Sequence, residues 1–433
     1  MGDHGPRSLT CTTSSPATLS RSPTGSSFRT TRASHCPSSS TRTCAKRVKD
    51  VVRDPAERIR TLRALMGLTQ GELAQAAGVS QPLISQIQKG LKPVSADVLT
   101  RIAAATGTPM SFFDVDPADL PADTLAFRKK ASASAKEVAR VEATVREAYR
   151  VAVRLMDETK VRRTTLPVAA GTLNGDDIED LADQTRAALG IAADGVIGHV
   201  IRACERAGIP VVPLVLLDSD GAGEEAVVGH SGVSCWKGTT GPSMISYFSA
   251  GSGDRQRFTT AHELGHLVLH PHRRAGLDPK QAETEAHRFA GAFLLPRERA
   301  EEAFSGPLML REFAVLKRRW GISIQALINR AHDLGHIDQA RRESLYKQLA
   351  ARGWRTNEPV AVHPEQPTLV RAMLGRKYGE PPSLLQAAED LGLHPVLMRS
   401  LAPDVAADPA PLRTAPVISL GDRRRRGARL QVR

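Results

Sequence analysis

Residues 257–271 read RFTTAHELGHLVLHP, and no other stretch limits the fold of this chain as much. On a helix, His262 and His266 stand one turn apart and about 40° apart around the axis, so both imidazoles reach one point in space. Glu263 projects beside them with no need to be a ligand. Phe258, Leu264, Leu267 and Leu269 make the rest of the helix apolar, so the histidine pair faces a packed interior where bare imidazoles are costly. Two neutral nitrogen ligands, an open coordination position and a carboxylate are what metal-assisted hydrolysis requires. Zn2+ suits such ligands, with Glu263 as general base and later proton donor. A purely structural zinc site has no use for that carboxylate.

A third protein ligand must come from elsewhere. His272 could serve only if the chain turned at a glycine, but Leu269 occupies that place and Pro271 intervenes. His270 lies about 12 Å beyond His262 on the same helix. The better source is AETEAHRFAGAFLLP, residues 282–296, whose apolar face comprises Ala286, Phe289, Ala290, Phe293 and Leu294. At 100° per residue Glu283 falls about 50° from the centre of that face, and Glu285 more than about 100° away. A buried carboxylate needs a partner, so Glu283 is the expected ligand. Glu285 is the alternative and otherwise a surface residue; His270 and Asp278 stand behind both.

A second pattern occupies residues 68–90, LTQGELAQAAGVSQPLISQIQKG. Thr69 and Ser80 are helix-capping residues, and Gly78 supplies a tight turn between two short helices. Leu73, Ala74, Val79, Ile84 and Ile87 fill a core, which leaves Gln81, Ser85, Gln86 and Lys89 outward on the second of these helices. Glutamine matches the paired donor and acceptor of adenine, and lysine a phosphate or guanine; Gln70 is set to meet the backbone. The expected partner is double-stranded DNA. A protein-interaction module packs the same way, but its outward face has no need to be so polar. Helical lookalikes at 310–332 and 384–401 read as ordinary helix packing.

The residues of this second pattern resemble the XRE-type helix-turn-helix of phage-repressor-like regulators, with Gln88 where that family usually has Glu. AHELGHLVLH (261–270) and ETEAHRFAGAFLLP (283–296) together resemble the ImmA/IrrE family of metallopeptidases, a gluzincin-like arrangement. The likeness weakens back to about Leu173 and forward through LKRRWGISIQALINRA to ARGW, residues 316–354. It implies an α+β domain with His262, His266 and Glu283 on zinc and Glu263 catalytic. His287 stands where many relatives have Asn, which bears on contacts around the ligands. Members of that family cleave helix-turn-helix repressors to relieve repression, often in stress responses. The implied substrate is such a repressor, or this chain itself.

The expected architecture is multidomain, with an all-α helix-turn-helix domain, an α+β gluzincin-like domain and a helical C-terminal part. A leader at 1–50, rich in Ser, Thr, Arg and Pro, lacks the periodicity to fold and reads as disordered or as a start assigned too far upstream. The helix-turn-helix domain follows at 54–116, a charged helical connector at 125–165 and the peptidase domain at 170–300. That domain has helices at 176–189 and 195–207 and strands at 209–217, 227–236 and 244–248. A helical region at 301–402 and a basic tail at 403–433 complete the chain. The net charge of +13 over 433 residues sits largely in the two terminal segments, so it does not by itself identify nucleic acid as a partner. No apolar run approaches the roughly 20 residues that span a bilayer, and the start lacks the apolar core of a secretory signal. Five cysteines without a CxxC pair point to a reduced, cytoplasmic setting and to a metal not held by thiolates. The function that fits is a DNA-binding regulator with zinc endopeptidase activity, with no membrane partner and with room for a homodimer. The rival is a repressor whose peptidase-like domain only senses a ligand or partner.

Overall fold

The computed structural model describes residues 54–120, 125–127, 134–218, 224–225, 232–237, 241–248, 251–273 and 276–404, all within one compact unit. The leader expected at 1–50 lies outside them, as does the tail beyond 404. Four helices open the described chain: α1 (Pro55–Leu65), α2 (Gln70–Ala76), α3 (Gln81–Gln88) and α4 (Ala96–Thr106), closed by a 3-10 turn at Met110–Asp114. Thr69 starts α2 through a capping box. Its Oγ1 accepts from Glu72 N at 3.2 Å, and Glu72 Oε2 accepts from Thr69 N at 2.6 Å. Gly78, at φ +63°, makes the left-handed turn into α3 that a side chain would strain. Ser80 holds the N-cap position of α3 without a side-chain bond.

After a short strand β1 (Leu125–Phe127) come the long helix α5 (Ala135–Thr159), then α6 (Gly175–Ala188) and α7 (Val200–Arg206). Strands β2 (Val211–Leu214), β3 (Leu216–Leu217), β4 (Glu224–Glu225), β5 (Gly232–Trp236) and β6 (Ser243–Phe248) follow. The rest is helical: α8 (Gly253–Leu269), α9 (Pro279–Leu294), α10 (Arg297–Phe304), α11 (Leu310–Trp320), α12 (Ile324–Asp333) and α13 (Gln339–Ala351), then α14 (Leu369–Tyr378), α15 (Leu384–Leu391) and α16 (Pro395–Leu401). The main sheet has the order β1-β5-β6-β2, with β2 parallel to β6 and the other pairs antiparallel. The single strand expected at 209–217 is two strands, because β3 leaves the main sheet to pair with β4. Pro213 is tolerated in β2 because β2 is an edge strand. The helix expected at 195–207 begins only at Val200, where His199 Nδ1 caps it by accepting from Arg202 N at 3.0 Å.

Side chains alternate across a sheet, and here both faces are covered. Val212, Leu214, Val233, Cys235, Met244 and Phe248 point to one side, into a core shared with α1–α5 and α14–α16. Val211, Trp236, Ile245 and Tyr247 point to the other, into a core built by α6 to α13. The sheet is thus a wall between a layer that contains α1–α4 and a layer that contains the HELGH helix, α8.

The stretch expected as a charged connector, 125–165, opens with a strand, and its helix is part of the core. Val141, Val145, Ala148, Val151, Ala152 and Leu155 of α5 are buried. Its charges are used inward as well. Glu147 takes both nitrogens of Arg58 from α1, at 2.6 and 2.9 Å, and Arg150 at 2.8 Å. Arg150 also donates to the carbonyls of Leu391 and Gly392 at 2.8 Å, beside α15. His394 Nε2 bonds the carbonyl of Thr106 at the end of α4, at 3.1 Å. The first four helices are therefore clamped between α5 and the C-terminal helices.

Candidate metal centre and DNA-facing helix

Helix α8 runs between the sheet and α9. Gly265 lets α9 come close, since a Cβ there would stand 2.9 Å from Phe289 Cδ1. His262 and His266 point toward α9 with their Nε2 atoms 3.2 Å apart. Glu283 of α9 meets both: Oε2 is 3.5 Å from His262 Nε2, and Oε1 is 3.5 Å from His266 Nε2. Burial pushes the His262 imidazole down to about 3, so it is a neutral nitrogen donor. Burial also tends to raise Glu283, but the two imidazoles beside it outweigh that and hold it well below the usual carboxylate range. His262 Nδ1 is buried with no hydrogen-bond partner among the described residues.

These donors fit zinc. Tetrahedral bonds of about 2.0–2.1 Å put neighbouring ligand atoms about 3.3–3.4 Å apart, close to the separations seen here. With both Nε2 atoms unprotonated, two lone pairs aimed at one point repel unless a cation lies between them. His287, one turn beyond Glu283, adds a fourth candidate: ligand atoms of His262, Glu283 and His287 lie within 4.8 Å of one another. Its ring stands 4.7 Å from that of His262, edge to face. The sequence reading had given His287 a place only around the ligands. The signal was its i+4 spacing from Glu283.

Glu263 lies against β5, close enough to His266 and Glu283 to interact with both. A Cβ on Gly232 would stand 2.7 Å from Glu263 Oε1, so only glycine allows the strand this near. Burial raises the Glu263 carboxyl to about 7, against the lowering effects of His266 and Ser234. A carboxyl in that range both takes and returns a proton near neutrality. The outer edge of β5 carries β1, with Ala126 opposite Ser234 and Phe127 opposite Val233.

Glu285 is not at the surface. It is 5% exposed and bonds Arg273 at 2.7 and 3.1 Å and Gln281 at 2.9 Å. The helical wheel of α9 misplaces it because Arg273 and His270, at and just past the end of α8, come round to cover it. Asp278 holds the N-cap position of α9.

In the helix-turn-helix, Gln81 and Gln86 are exposed on α3 and Lys89 is exposed at its C-cap, Ser85 is half-buried, and Gln70 lies half-buried at the start of α2. Gln88, buried, accepts from Gln70 Nε2 at 2.7 Å, and Gln70 Oε1 accepts from Gln81 Nε2 at 3.4 Å. The residue that departs from the family pattern thus still ties α2 to α3, without a charge. Among the described residues no helix is long and apolar enough to cross a membrane.

Comparison with known proteins agrees with both halves. Residues 204–332 match the family model of the IrrE N-terminal-like domain, peptidase M78, and residues 59–113 match a helix-turn-helix model. Two sequences of Mycobacterium tuberculosis, from strains CDC 1551 and H37Rv, are each described as an uncharacterized HTH-type transcriptional regulator. Each is 45% identical over 47 residues, 11% of this chain and 34% of the relative.

Proposed function

We propose that this chain, an XRE-type helix-turn-helix transcription regulator joined to an ImmA/IrrE-like peptidase domain, is a cytoplasmic zinc-dependent endopeptidase whose substrate is a protein. The observation that carries this reading is the convergence of His262, His266 and Glu283 at 3.2–3.5 Å beside a carboxyl raised to about 7. Zinc held by these three would acidify a water and polarise a peptide carbonyl. Glu263 is set to accept the proton of that water and deliver it to the leaving amine nitrogen. Its burial beside β5 keeps bulk water away from the carboxyl. An extended peptide laid along the outer edge of β5 has to replace residues 125–127 there. The substrate that suits a DNA-bound peptidase is a repressor, separate or in cis.

The test compares wild type with Glu263→Gln. Both should carry about one zinc per chain by mass spectrometry of metals. New protein N-termini should appear only in cells that express wild type, and equal sets in both would remove Glu263 from the role of base. His262→Ala or Glu283→Ala should lose the zinc; loss on His287→Ala with retention on Glu283→Ala would exchange the third ligand. One observation favours the sensor alternative. The DNA-binding helices and the sheet share a core through α5, so occupancy of the site can reach α1–α4 without a cut. Zinc binding and zinc-dependent DNA affinity with no new N-termini would decide for it.

A further inference from the structure

His266 is not the end of a chain of contacts. Its Nδ1 lies 2.8 Å from His270 Nδ1, and His270 Nε2 lies 3.3 Å from Glu285 Oε2. His270 is the C-cap residue of α8 and is 2% exposed. Glu285 is fixed in turn by Arg273, which also donates to the carbonyl of Gly171. His270, Glu285 and Arg273 are outside the set that would touch zinc or substrate.

We propose that His270, held by Glu285, is a positioning residue that fixes which nitrogen of His266 is free to bind metal. With zinc at this site as proposed above, the proton assignment has one solution. His266 binds through Nε2, so its proton is on Nδ1 and is donated to His270. His270 then accepts at Nδ1 and carries its own proton on Nε2, which it donates to Glu285. A metal-bound histidine commonly donates its second N–H directly to a carboxylate or carbonyl. Here a second imidazole is interposed, and the carboxylate comes from α9, the helix that also supplies Glu283. The same two helices are thereby tied at the ligands and again one turn beyond them. The opposite tautomer of His266 would place a proton on the nitrogen that faces His262 and Glu283.

The test uses zinc alone as the probe. Zinc affinity of the full chain is measured by competition with a chelating dye, for wild type, His270→Leu, His270→Gln and Glu285→Gln. Loss of such an outer contact should weaken zinc about 10- to 100-fold in His270→Leu. His270→Gln, which still offers an acceptor to His266 and a donor to Glu285, should recover most of it; Glu285→Gln should fall between. The tautomer is read separately, in metal-free protein, from the nitrogen-15 shifts of His266. Wild type should show the proton on Nδ1, and His270→Leu a mixture of both forms. A variant that merely loosens the fold would lower the melting temperature without giving rescue by Gln or a change of tautomer. Equal zinc affinity in all four proteins, or an Nε2-protonated His266 in wild type, would overturn the proposal. Failure of wild type to bind zinc while the tautomers behave as described would sink the zinc reading and leave the positioning role of His270 standing.

Discussion

Replacing Glu147 by Ala tests how α1–α4 are attached. The carboxylate and Arg58 are each 1% exposed, and Arg150 beside them is 9% exposed. Burial alone would raise Glu147, yet the two guanidinium groups outweigh it and hold it ionised below its ordinary range. Glu147→Ala leaves two buried cations facing each other, and breaking a buried pair from one side costs about 3–5 kcal/mol. Unfolding entropy of about 2.1 cal/mol/K per residue, over a cooperative unit of roughly 300 residues, converts this to a melting shift of about 5–8 °C. Scanning calorimetry should show one transition displaced by that amount. Replacing Arg58 and Glu147 together by Leu should cost less than Glu147→Ala alone, since Arg150 keeps the carbonyls of Leu391 and Gly392. Were the first four helices a free domain of about 60 residues, the same energy would move a separate transition by some tens of degrees and leave the other untouched. Two transitions, or a shift under about 1 °C, would refute the shared core.

Acid should unlock a second buried cluster. Burial favours the neutral form of Glu365, but the neighbouring His199 and Arg257 and the bond from Ile201 N outweigh it and hold the carboxyl at about 2. Its folded value is below the unfolded 4.5, so its contribution, on the order of 3 kcal/mol, is complete above about pH 4.5 and lost as pH falls toward 2. Glu365→Gln should flatten the acid limb of melting temperature against pH; an unchanged limb would show that other carboxyls set it. On DNA, Gln81→Ala and Gln86→Ala should each lose about 1–3 kcal/mol at one base pair, and Lys89→Ala should weaken all sequences alike. Fluorescence polarisation of full-length protein reads both, and absence of binding at low salt would make the domain an interaction module.

What could be read from the sequence is what depends on local spacing. The one-turn separation of His262 and His266, the cap at Thr69 and the glycine turn at Gly78 need no knowledge of distant neighbours. Glu283 was within reach for the same reason: the apolar face of α9 points at α8, and Glu283 lies on its margin. Everything that required a second surface on one helix escaped. Glu285 sits outside the apolar stripe of α9 yet is buried, because Arg273 and His270 come round from the end of α8 to meet it. In α5 the hydrophobic residues do recur at helical spacing, but Arg140, Glu147 and Arg150 among them made the helix look solvated. A charge pattern along one helix is the same whether its partners are water or a buried guanidinium on α1. The strand at Leu125–Phe127 was hidden for a related reason: three residues carry too little alternation to register, and their place is set by the edge of β5.

That difference between local and distant information bears on how such a regulator works. A helix-turn-helix on a loose tether would make the peptidase a passenger, and DNA binding would be indifferent to the site. Here α5 contacts α1 on one side and the sheet on the other, and β5 of that sheet rests on Glu263. Only a few packed side chains separate Glu263 from Arg58: Ser234 lies against the glutamate, its strand neighbours Val233 and Cys235 enter the core of α5, and Glu147 on α5 holds Arg58. A peptide that displaced residues 125–127 would disturb the strand that precedes α5. Cutting the chain there need not free α1–α4, since the Arg58–Glu147 pair and the C-terminal helices hold them without the covalent link. Cleavage within the chain would thus act by altering the clamp rather than by releasing a fragment, and cleavage of a separate repressor would leave this chain's own DNA grip intact.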